Sequence, residues 1–248
     1  MRHVAITRRL AVASAAAISA TAAVSPRPTA AETLNRRLPW AAGTADRPEQ
    51  IDARPGYVFF APDEAAFVEA AVARLIPADE LGPGALEAGV PRFIDRQLAG
   101  PYGQGDHFNL QRPMPKGTAT QGWQMGAPAE VYRATIPQVN RWAADAKGKP
   151  VAELVAADQD AVLKALESGA AQLKGAVDGQ AFFKLLLQNT IEGFFADPIY
   201  GGNRDMVGWR LIGFPGARYD YRDAVARHGE PYPLPPVSLM GRREWTRS

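Results

Sequence analysis

Apolar residues along this chain fall into helical register in separated blocks. In PDEAAFVEAAVARLIP, Phe67, Ala71 and Leu75 recur at i+4 beside Val68, Val72 and Ile76, the stripe of a helix with one buried face. Pro62 suits the first turn, Asp63 and Glu64 sit at the positive end of the helix dipole, and Pro77 ends the run. A short helix is expected from Pro91 to Leu98, burying Phe93, Ile94 and Leu98. Another opens at Pro128, with Pro137 expected to kink or split it because proline removes one backbone donor. Val151 to Glu167 reads as two short amphipathic turns, the second opening near Asp158 with Val162, Leu163 and Leu166 inward. The broadest stripe lies in DGQAFFKLLLQNTIEGFFA, starting near Asp178. Phe182, Leu186, Asn189 or Thr190, and Phe194 share one side, with Phe183, Leu187 and Ile191 beside them, which predicts the central helix of the domain.

Between these blocks the pattern breaks down. Residues 99–127 carry Gly, Pro, Gln and scattered aromatics with no period, and loops beyond about 15 residues without structure of their own are usually functional or lie against something. The tail from His228 is Pro-rich and polyproline-like around Pro231 to Pro236, and residues 26–58 form a matching lead-in. The fold class expected is mainly α: a compact helical core with long irregular Gly/Pro-rich loops and extended N- and C-terminal arms. The expected divisions are an export signal over 1–25, a lead-in arm over 26–58, a helical domain over 59–221 and an extended tail over 222–248.

One stretch, DPIYGGNRDMVGWRLIGFPG from Asp197 to Gly216, is dense in glycine, aromatic and charged residues. Asp197-Pro198 breaks the preceding helix, and Gly201-Gly202 makes a tight turn. Asn203 is placed to cap a short helix from Arg204 to Ile212, Asp205 lies in its first turn, and Gly213 with Pro215 stops it. Met206, Val207, Trp209, Leu211 and Ile212 surround most of that helix, and Gly208 lets another backbone come close. Asp197, Asn203, Arg204 and Asp205 read as turn and cap chemistry before catalysis, since no spacing here assembles an acid–base pair or a calcium loop. Tyr200, Asn203, Met206, Trp209 and Phe214 are the expected partner-facing residues, with Trp209 as an aromatic anchor.

The first 25 residues read as an export signal: Arg2, Arg8 and Arg9, then an Ala-rich, mildly apolar segment and small residues suited to cleavage. Thr7-Arg8-Arg9 fits the start of a twin-arginine signal, with Ala11 and Val12 where Phe and Leu are usual. The apolar part is shorter than the roughly 20 residues of a membrane-crossing helix, so no transmembrane segment is expected. This segment also explains the basic balance. Residues 1–22 hold three of the 28 Lys and Arg and none of the 26 Asp and Glu, leaving 25 against 26. With no basic tract in that remainder, the electrostatic footprint of a nucleic-acid partner is missing.

With no cysteine in the sequence, there is no thiolate for an iron–sulfur cluster, no haem attachment motif and no Cys nucleophile. Beyond the signal only His107 and His228 remain, far apart and in Gly/Pro-rich surroundings, without metal-ligand spacing. GPYGQGDHF and GPGALEAG have the wrong glycine offsets for a dinucleotide loop, and neither a phosphate-binding P-loop nor a G-x-S-x-G elbow occurs. No catalytic, cofactor-binding or metal-ligating residue is therefore assigned.

The order FFAPDEAAFVEAAVARLIPADELGPGALEAGVPRFIDRQLAGPYGQG, then a Gly/Pro-rich middle, then FFKLLLQNTIEGFFADPIYGGNRDMVGWRLIGFPG, resembles the gluconate 2-dehydrogenase subunit 3 family over about Phe59 to Tyr221. These are small gamma subunits of bacterial flavin-dependent sugar and polyol dehydrogenases. The resemblance implies a chain without a redox group of its own. FAD and sugar oxidation would belong to a separate large subunit, and haem c to a multihaem cytochrome that often forms a third. It implies a periplasmic subunit that brings the export signal and supports folding and translocation of the large one. Two other classes fit the residues alone. One is a free-standing periplasmic sugar-binding protein or enzyme with its pocket around Tyr200, Asn203 and Trp209; the other is an export chaperone absent from the mature complex.

Overall fold

The computed structural model describes residues 56–106, 126–175, 178–218 and 220–239. The export signal with Arg8 and Arg9, the lead-in up to residue 55, His107 with the stretch 107–125, and residues 240–248 lie outside them. The described part is mainly α, as the periodicity predicts.

Helix α1 spans Pro62–Leu75, opened by Pro62 and by Glu64, whose carboxylate accepts the Ala61 amide at 2.8 Å. Its inner face is Phe67, Val68, Ala71 and Val72. Helix α2 runs over Val90–Ala99 and buries Phe93, Ile94 and Leu98. Helix α3, Pro128–Lys147, contains Pro137 without being split. Arg133 and Pro137 are both exposed, so the carbonyl that loses its donor is on the outward face, while Ile136 and Val139 hold the helix to the core on either side. A 3₁₀ turn, Val151–Glu153, precedes α4, Ala156–Glu167, which turns Val162, Leu163 and Leu166 inward as the sequence suggests. Arg74 of α1 and Asp160 of α4 form a two-pronged ion pair at 2.7 and 2.9 Å.

Helix α5, Gly179–Phe195, is the central element, packing against α1, α2, α3, α4 and the short α6, Val207–Ile212. Asp178 caps it by accepting the amides of Gln180 and Ala181, both at 3.0 Å. Phe182, Phe183, Leu186 and Phe194 are buried, and Phe182 meets Tyr132 edge-on at 5.3 Å. Gly193 is a contact point between α5 and α2, because a Cβ there would lie 2.7 Å from the Phe93 ring.

Two polar features inside this core have no hydrophobic signature. Asp95, on the buried side of α2, accepts three successive backbone amides, from Val58, Phe59 and Phe60, at 2.8, 2.9 and 2.9 Å, and pairs with Arg96 at 2.6 Å. A single carboxylate thereby fixes the chain's approach to α1. Arg133 closes the same corner, bonding Glu64 and the Phe59 carbonyl and lying 4.1 Å over the Phe59 ring. The second feature crosses three elements: the Tyr102 hydroxyl donates to Asn189 Oδ1 at 2.8 Å, and Asn189 Nδ2 donates to the Tyr132 hydroxyl at 3.0 Å.

Burial, with the Glu192 charge second, pushes the Tyr102 hydroxyl up to about 12, and burial drives Tyr132 higher still. The folded pKa values therefore lie above the ordinary phenol value of roughly 10, so the contribution to stability is complete below that value and is lost as pH rises toward the folded one. We expect the melting temperature to fall from about pH 10 upward, and Tyr102→Phe to fall less steeply over that interval than the unmodified chain. Calorimetry across alkaline buffers measures both slopes, and parallel slopes would contradict the assignment.

Candidate functional site

The residues from Asp197 to Gly216 form a plug over the C-terminal end of α5. A helix leaves its last carbonyls without intrahelical partners. The α5 end has no left-handed glycine to supply them, since Ala196 is extended at φ −62° and ψ 161°. Donors come instead from the returning chain. Asn203 Nδ2 donates to the Ala196 carbonyl at 2.9 Å and Trp209 Nε1 to the Phe195 carbonyl at 2.7 Å. Asn203 also accepts the Gly208 amide through Oδ1 at 2.8 Å, so one buried side chain ties the end of α5 to the start of α6.

Such closeness requires missing side chains. A Cβ on Gly202 would sit 2.2 Å from the Gly193 carbonyl oxygen, and one on Gly208 would sit 2.2 Å from that of Phe194. The backbone between them is bent hard, with Asn203, Asp205 and Met206 at φ 45°, 56° and 57°. This geometry corrects the expected helix from Arg204 to Ile212. Residues 204–206 form a 3₁₀ turn and the α-helix begins only at Val207, because the left-handed residues Asp205 and Met206 cannot continue a right-handed one. The Arg204 amide is spent on the Ala88 carbonyl at 2.9 Å.

The strap formed by the C-terminal residues covers the other side of the plug. Val237 pairs in parallel with Gly216: its carbonyl accepts the Ala217 amide at 2.6 Å, and its own amide donates to the Pro215 carbonyl at 3.2 Å. Asp197 holds both ends, accepting the Ile199 amide at 3.0 Å and the Leu239 amide at 2.8 Å. Arg218 lies 5.0 Å over the Tyr232 ring and bonds the Pro235 carbonyl. The described part of the Pro-rich tail is thus laid along the chain's own body.

The five residues expected to face a partner separate into two groups. Tyr200 and Phe214 are exposed, at 53% and 44%, and Met206 is half-buried. Asn203 and Trp209 point inward; Trp209 is 5% exposed, bonded to Phe195 and stacked edge-on against Phe214 at 5.1 Å. Asn203 and Trp209 thus serve the end of α5, a use the sequence reading did not foresee. A sequence signal for it exists in hindsight: Trp and Asn each offer one donor suited to an orphan helix carbonyl. Asp95 and Arg210 were not singled out by the sequence. Asp95 stands in FIDRQL, where a lone carboxylate beside an apolar stripe was its only mark.

Among the described residues no group of three or more His, Cys, Asp and Glu converges as a metal site, and no helix is long and apolar enough to cross a membrane. Two polar side chains of the plug, Asp197 and Asn203, make their hydrogen bonds to backbone of the same chain.

If the plug is architectural, Asn203→Ala leaves the Ala196 carbonyl and the Gly208 amide without partners and should cost about 2–4 kcal/mol of folding stability. Tyr200→Ala, changing an exposed side chain, should stay within about 0.5 kcal/mol. Denaturant titration of both variants decides, and equal midpoints would refute the assignment.

Neither the comparison with curated proteins nor that with solved structures returned a match. A family model described as gluconate 2-dehydrogenase subunit 3 matches residues 62–216, from the first residue of α1 to the glycine on which the strap pairs. With more than half of the sequence matched, the chain belongs to the gluconate 2-dehydrogenase subunit 3 family.

Proposed function

We propose that this chain is a non-catalytic small subunit of a periplasmic, FAD-dependent sugar or sugar-acid dehydrogenase complex, and that it supports export, folding and assembly of the flavin-bearing catalytic subunit. The observation that carries the reading is the family match over 62–216, whose description is that of a dehydrogenase subunit. The use of the plug's polar side chains as caps for the chain's own helix adds support, because groups so committed are poorly placed for proton transfer to a substrate. Arg8 and Arg9, followed by a mild apolar segment, support a twin-arginine route that carries folded cargo. In this reading FAD and sugar oxidation reside in the large subunit, and a multihaem cytochrome c takes the electrons onward.

The decisive experiment is purification from the native host through a tag on this chain. A flavoprotein should accompany it in fixed ratio and carry the sugar-oxidising activity, whereas the chain produced alone should be colourless and inactive. Sugar oxidation by the isolated chain, or stoichiometric flavin bound to it, would refute the subunit role. Replacing both Arg8 and Arg9 by Lys should strand the chain and the flavoprotein together in the cytoplasm, scored by cell fractionation. Normal arrival of the flavoprotein in the periplasm would refute shared export.

A further inference from the structure

The groove between the end of α6 and the Pro-rich strap has a volume of about 290 Å³ and is lined by Trp209, Arg210, Phe214, Tyr232, Leu234 and neighbouring prolines. Its wall is apolar and aromatic, and no carboxylate contributes to it. Arg210 is exposed at its rim, and its guanidinium has no hydrogen-bond or ion-pair partner among the described residues. Two of its large apolar lining side chains are left in water, Leu234 at 49% and Phe214 at 44% exposure. Grouped apolar side chains of this kind, rimmed by charge, mark interaction surfaces in soluble proteins.

We propose that this groove is the seat of the catalytic subunit, and that it receives an apolar side chain flanked by a carboxylate on that subunit's surface. The proposal rests on the subunit reading above and adds to it the docking face and the chemistry of the docking residue. Charge decides between occupants. A second copy docked about a two-fold axis through the groove would bring Arg210 toward its own counterpart and supply no carboxylate from the groove to either. A hetero-partner carrying an acidic residue beside an apolar one satisfies both the guanidinium and the aromatic wall. The wall is already organised by the chain itself: the Trp209–Phe214 stack, the Trp209 bond to Phe195, and the Gly216–Val237 pairing hold helix and strap together, so little ordering remains to be done on association.

The test uses the full chain and the flavoprotein purified with it, separated and rebound. Arg210→Glu and Leu234→Asp are compared with two changes on exposed positions outside the groove, Arg141→Glu and Val155→Asp. Circular dichroism first confirms that each variant is folded; Arg210→Glu alters an exposed side chain, so it remains informative if Leu234→Asp does not fold. The dissociation constant should rise at least about tenfold for the groove variants, stay at the unmodified value for the two outside it, and rise with salt for the unmodified chain but less so for Arg210→Glu. Unchanged affinity in the folded groove variants would overturn the docking face while leaving the subunit reading intact. A light-scattering mass of two copies that falls to one in Leu234→Asp would overturn it in favour of self-association. If no flavoprotein accompanies the unmodified chain at all, the subunit reading falls and the docking proposal falls with it.

Discussion

The constraint on which this structure turns is the unpaired carbonyl end of a buried helix. Helix α5 is packed on by every other α-helix among the described residues, and Gly193 and Phe194 in its last turn are buried. Without a left-handed cap residue at Ala196, the carbonyls of Phe195 and Ala196 have to be reached by side chains from further along the chain. That requirement accounts for most of what is unusual in Asp197 to Gly216. Asn203 and Trp209 supply the donors, and Gly202 and Gly208 let the backbone approach to where a methyl group would collide with a carbonyl oxygen. The same arrangement buries both side chains and commits the single indole N–H of Trp209 to the Phe195 carbonyl.

A parallel solution appears where the chain enters α1. There the orphan groups are donors, the amides of Val58, Phe59 and Phe60, and one buried carboxylate on α2 gathers all three. Arg96 at 2.6 Å supplies the countercharge that, with the three amides, makes a buried Asp95 tolerable. Core packing in this protein is therefore framed by two polar clamps, one accepting and one donating, each joining a helix to a non-helical segment.

The helices were legible because burial imposes a period. The positions and inward faces of α1, α2, α4 and α5 follow from the spacing of residues such as Phe67, Ile94, Val162 and Leu186, and Asp178 announces the start of α5 as an N-cap. Pro137 does not split α3, and sequence does not show that its missing hydrogen bond faces outward. Asn203 and Trp209 were recognised as special, but their bonds to the end of α5 were not legible, since a donor for an orphan carbonyl and a donor for a partner are the same chemical group. Asp95 was invisible for a related reason: its partners are backbone amides, which every residue except proline possesses, and only the fold says which three are gathered. The groove around Arg210 depends on a strap some twenty residues away returning to Gly216, a pairing with no periodic signature.

The plug also sets an order of assembly. Its closing bonds join Ala196 to Asn203 and Phe195 to Trp209, separations of 7 and 14 positions, whereas the Asp95 clamp spans up to 37 and the Asp197–Leu239 bond 42. Loop-closure entropy grows with the length of chain enclosed, so the end of α5 can be sealed locally, by a search over few conformations. The long-range clamps then close onto a helix whose terminus is already finished. A central helix sealed in this way presents a completed edge to the strap, and residues 237–239 need only find a surface that exists before they arrive.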